Sequence, residues 1–80
     1  MPMTYDNSSI EKLLEEMIAH QKNKVLIIAR EIVPNLTHED IRNPQDFPKL
    51  YNNIIFNYED GILTGYLSIK TALGKLKKSI

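Results

Sequence analysis

Residues 57–65 read NYEDGILTG. Glu59 and Asp60 beside Gly61 could form an acidic site for a metal ion or for acid/base chemistry. The same residues could instead open a helix. Asn57 is a favourable N-cap, and Asp60 falls at the third helical position of a box-like N-x-x-D pattern. Two carboxylates in a first turn also suit the positive end of the helix dipole. Each residue that looks catalytic then has a local helical role. This reading gives a long helix over 58–77, followed by a basic tail at 78–80, and it makes the chain all-α.

Downstream, Gly61, Gly65, Ser68 and Ala72 recur at steps of four, three and four. A glycine inside a helix costs about 1 kcal/mol relative to Ala, so the pair needs a reason. The spacing predicts a smooth seam against which another helix, the first arm, packs closely. Large residues flank it at Ile62, Tyr66, Ile69, Leu73 and Leu76. Leu63 and Leu67 fall on the opposite side, covered by the middle of the chain or open to a partner. Gly74 weakens the last turns.

Upstream, a matching helix is expected over 8–33, behind an N-terminal tail at 1–7. Ser8 and Glu11 read as a capping box; Asp6 is the other cap, with Tyr5 and Ile10 as a hydrophobic staple. Pro34 ends the helix, because the residue before a proline disfavours the α region. Leu14, Ile18, Gln21, Val25, Ile28 and Ile32 make the buried stripe. Gln21 interrupts it with an amide. That predicts a polar layer that fixes helix register or meets a water-accessible interface; an edge position facing solvent is the plain alternative. Leu26 and Ile27 point away from the stripe and require a second neighbour.

Between the arms, the bridge 34–57 contains Pro34, Pro44 and Pro48. Thr37 with Asp40 predicts a capped turn over HEDIR, and Pro48 opens a second turn over PKLYN. Four of the six aromatics, Phe47, Tyr51, Phe56 and Tyr58, gather in or beside this segment. Structureless connections of such length are uncommon in small domains. The bridge is therefore expected to fold over the arms and cover Leu26 and Ile27.

Composition bounds function. Eighty residues make one small domain, and the 42% apolar and 25% charged fractions are ordinary for a globular chain. Cysteine is absent, which excludes disulfides and thiolate metal sites and fits a cytoplasmic protein. The start MPMTYDNSS lacks a signal-peptide pattern, and the longest apolar run, VLIIA, is too short for a membrane span. Net charge is zero but uneven. Seven acids and four bases in 1–40 give −3, and three acids and six bases in 41–80 give +3. Lys70, Lys75, Lys77 and Lys78 form a basic patch, read chiefly as cations complementing a helix C-terminus.

The two histidines make no metal-ligand spacing, since neighbours in His38-Glu39-Asp40 point about 100° apart on a helix. No nucleophile elbow, phosphate loop or EF-hand loop occurs. No enzyme activity, cofactor or metal is expected. The sequence reads as a single helical hairpin of two long arms, bridged by short turns and pairing into a bundle. Its expected role is protein–protein association as an adaptor, subunit or chaperone-like protein, with self-association into a homodimer. The candidate interaction residues are Gln21, Leu26, Ile27, Phe47, Tyr51, Phe56, Tyr58, Leu63 and Leu67. A nucleic-acid-associated protein using the lysine end is the alternative.

Overall fold

A computed structural model describes the backbone of residues 7–79 and the side chains of residues 9–77. The chain is an all-α hairpin. Helix α1 spans Asn7–Ile32, α2 His38–Ile41, α3 Pro48–Tyr51 and α4 Ile54–Ser79, with a 3-10 turn at Pro44–Asp46 before α3. The two long helices run antiparallel along each other. Each has 26 residues, about 39 Å at 1.5 Å per residue.

Helix α1 ends where Pro34 removes a backbone donor. The Val33 N–H still donates to the Ala29 carbonyl at 2.8 Å. Asn35 then takes the left-handed conformation, φ 69°, which asparagine tolerates better than most residues. Arg30 Nε donates to the Leu36 carbonyl at 2.7 Å and holds the returning chain against the helix end. At the other end, Ser8 lies inside α1 rather than capping it, and an Asp6 cap falls outside the described residues.

The bridge turns form for the local reasons their sequences suggest. Thr37 Oγ1 accepts from the Asp40 N–H at 3.2 Å while Asp40 Oδ2 accepts from the Thr37 N–H at 3.0 Å, a reciprocal capping box. Pro48 occupies the start of α3, where its missing N–H costs nothing.

Helix α4 begins at Ile54, not at 58. The cap is Asn53, whose Oδ1 accepts from the Phe56 N–H at 2.8 Å. Asn57 sits within the first turns, and its Nδ2 donates back to the Tyr51 carbonyl at 2.9 Å. The earlier start has a packing reason: it turns Phe56, which is fully buried, into the core. Glu59 and Asp60 therefore lie beyond the first turn and do not complement the helix dipole from it.

One cluster holds the fold together. Leu14, Ile18, Val25, Leu26 and Ala29 come from α1, Leu36, Ile41 and Leu50 from the bridge, and Phe56 and Leu63 from α4. Truncating a residue as buried as Leu50 typically costs about 2–5 kcal/mol, a large part of a small domain's stability.

The glycine seam is not part of this packing. Gly61, Gly65, Ser68 and Ala72 are exposed, and a Cβ added at Gly61 or Gly65 would meet nothing within 4 Å. The expected close contact with α1 is absent because α4 turns a different face inward, the one bearing Phe56, Glu59 and Leu63.

Candidate functional site

Two features of the hairpin go beyond apolar packing. One is a polar contact at mid-height. Gln21 is 5% exposed, and its Nε2 donates to Glu59 Oε1 at 3.0 Å and to the Glu59 carbonyl at 2.8 Å. Lys24 Nζ lies 3.2 Å from Glu59 Oε2. The Gln21 hydrogen bond is the main influence holding the Glu59 carboxyl below its ordinary range; Lys24 adds to it, against an opposing effect of desolvation. Gln21 is thus the polar layer of the helix pair, its partner an acid of the stretch 57–65. The arrangement neutralises and orients Glu59 and leaves it engaged from both oxygens. In this register the carboxylate is paired, whereas a slide of one turn would strand it without the Gln21 donor.

The other feature is the difference between the two sides of the hairpin. Each residue turns a helix by about 100°. Glu11, Glu15 and Lys22 therefore lie on one flank of the α1 stripe, and Ile10, Leu13, Met17 and Ile27 on the other. The first flank faces the same side as Asp60, Thr64 and Gly74 of α4, since these residues line common grooves with it. On that polar side, a groove of about 510 Å³ carries Lys22, His38 and Arg42 around Val25, Ile41 and Leu63. Asp60 lines it too, and burial pushes its carboxyl up.

The opposite side is apolar. Helix α1 contributes Ile10, Leu13, Met17 and Ile27, and α4 contributes Ile55, Tyr58, Ile69 and Leu76, all of them exposed. Half-buried Ile62 and Tyr66 fill the space toward the core. On the α1 flank of this face the ionisable residues are His20 and Lys24, with Glu16 at its outer edge and Glu31 at its bridge end, and Lys24 is drawn toward Glu59. A grouping of exposed apolar side chains of this size is uncommon on monomeric proteins.

The structure sorts the predicted interaction residues differently from the sequence. Leu26, Phe56 and Leu63 are core residues and are unavailable to a partner. Phe47 is half-buried against the core. Ile27, Tyr51, Tyr58 and Leu67 remain exposed, but they do not form one surface: Ile27 and Tyr58 belong to the apolar side, Leu67 to the polar groove. The bridge covers Leu26 but leaves Ile27 56% exposed. Sequence reasoning did not assign Ile10, Leu13, Met17, Ile55, Ile69 or Leu76 to a partner. For Ile69 and Leu76 the signal was the row of large residues beside the glycines, read as internal packing; Ile10, Leu13 and Met17 lie beside the α1 stripe at helical spacing, a signal available in the sequence.

The lysines do not present one basic surface. Lys77 Nζ pairs with Glu11 Oε1 at 2.8 Å, closing the open end of the hairpin, and Lys70 shares its groove with Glu11 and Glu15. Lys75 is exposed, and the side chain of Lys78 lies outside the described residues. Among the described residues, no group of three or more His, Asp or Glu side chains is placed to hold a metal ion, and no helix is long and apolar enough to cross a membrane. No protein-family model matches the chain, and neither curated proteins nor solved structures contain a significant match to it.

Proposed function

We propose that this chain is a protein-binding module, without catalysis of its own, whose apolar side is covered by another polypeptide. The observation that supports this most strongly is the one-sided distribution of Ile10, Leu13, Met17, Ile55, Tyr58 and Ile69 on a hairpin whose core is already filled. Leaving these side chains in water forgoes about 25 cal/mol for each Å² of apolar surface that a partner would cover. Of the two acids that suggested chemistry in the sequence, Glu59 holds Gln21 and Lys24. At the open end of the hairpin, Glu11 holds Lys77. The same Glu11–Lys77 pairing weakens the case for a nucleic-acid surface at the lysine end. A cytoplasmic setting goes with this reading, on the cysteine-free composition.

The lack of cysteine supplies the test. Single cysteines at Met17 and Ile69, with Thr64 on the polar side as reference, are alkylated in cells producing the native chain. Slow labelling at Met17→Cys and Ile69→Cys, with fast labelling at Thr64→Cys, is the expected pattern. Equally fast labelling at all three sites defeats the reading.

A further inference from the structure

We propose, resting on that reading of the apolar side, that its occupant is a second copy of this chain, giving an antiparallel four-helix bundle related by a two-fold axis. The area available fits such a dimer. Eight large side chains on this side are 39–68% exposed. At roughly 100 Å² left to solvent by each, they offer on the order of 800 Å², the area each partner contributes to a standard interface. The whole chain exposes 6256 Å². A compact monomer of its 9.2 kDa mass would expose about 4,900 Å².

Shape and charge agree with the area. Both long helices contribute to the face along their lengths, so a copy turned by 180° lays two apolar helices on two apolar helices, as four-helix bundles do. A two-fold contact brings like residues into like surroundings, so an uncompensated charge on the face would be buried twice. Lys24 on α1 is matched within its own chain by Glu59, and Glu16 and Glu31 fall at the outer edge and the bridge end of the face rather than at its centre. At the margin of the face on α4, Gly61, Gly65, Ser68 and Ala72 carry no charge that a second copy would bury. A second copy would also remedy the smallness of the core, which no disulfide supplements.

The mass of the purified full chain in solution tests this. Light scattering and sedimentation across a hundred-fold range of concentration should give twice 9.2 kDa, dissociating on dilution. Leu13→Glu and Ile69→Glu should each weaken the dimer by on the order of 100-fold or more. Leu67→Glu, which adds the same charge on the polar side, should not. Circular dichroism confirms that each variant keeps its helices, and Leu13→Gln and Ile69→Gln replace any that does not. A wild-type monomer at every concentration overturns the second copy, as does a dimer indifferent to both face variants or broken by Leu67→Glu. If the purified chain is monomeric while Met17→Cys and Ile69→Cys stay protected in cells, the second copy fails and the binding-module reading stands. If protection is absent as well, both fall.

Discussion

Replacing glycine by alanine at positions 61, 65 and 74 should stabilise this protein, although the spacing of the first two suggests a packed seam. A Cβ at any of the three meets nothing within 4 Å, and none has a positive φ. No native contact is therefore lost and no strain is introduced. What remains is the backbone entropy that glycine gives up on entering a helix, about 0.5–1 kcal/mol per site. Gly61 and Gly65 lie in the body of α4 and should reach the upper part of that range. Gly74 lies five residues from the end at Ser79, where fraying reduces the gain. The triple variant should gain about 2 kcal/mol, which raises the melting temperature of an 80-residue domain by roughly 10 °C. Gly65→Leu, which a packed seam would reject at a cost of about 1–3 kcal/mol, should be neutral or stabilising. The assay is urea unfolding followed by circular dichroism at fixed protein concentration, so that association does not shift the midpoint. A lower midpoint for Gly61→Ala or Gly65→Ala would refute the reasoning and place another backbone against this stripe in solution.

Two further outcomes follow from the mid-height polar contact. Gln21→Leu should lower stability by about 1–2 kcal/mol, because it removes a buried donor and leaves its acceptor short. Adding Glu59→Leu should recover much of the loss, and additive effects in the double variant would show that the two groups are not coupled. Stability against pH should separate the two neighbouring acids. The Glu59 value is lowered on folding from an ordinary 4.5, so its contribution is complete above 4.5 and lost as pH falls through the lowered value. Glu59→Gln should therefore be less stable than the wild type at neutral pH, with the gap closing in acid below that range. The Asp60 value is raised by burial from an ordinary 3.8, so ionisation weakens the fold as pH rises from 3.8 through the raised value. Asp60→Asn should be the more stable protein at neutral pH, with its advantage gone below 3.8. Urea midpoints measured between about pH 3 and pH 7 check both, and profiles parallel to the wild type would refute them.

The sequence by itself determined the elements that depend on neighbours a few residues away. The stripe from Leu14 to Ile32 has the period of an amphipathic helix, Pro34 stops it, and Thr37 with Asp40 closes a capping box between residues three apart. Helix–hairpin architecture followed from two such runs joined by a punctuated segment. Where the local signals competed, only the tertiary structure decided. Asn53 and Asn57 are both good caps. The core selects Asn53, because a helix begun there brings Phe56 inward, and no local pattern records that gain. The inner face of α4 was equally undecided. A helix with small residues on one side and large ones on others can turn either way, and the choice fell to Glu59, whose carboxylate needs the donor that Gln21 holds 38 positions earlier in the chain. Once that pair is joined, Leu63 is carried into the core, Gly61 and Gly65 are turned to solvent, and the surplus apolar residues of both arms gather on one side. That side is a property of two helices in register, and neither helix reveals it alone.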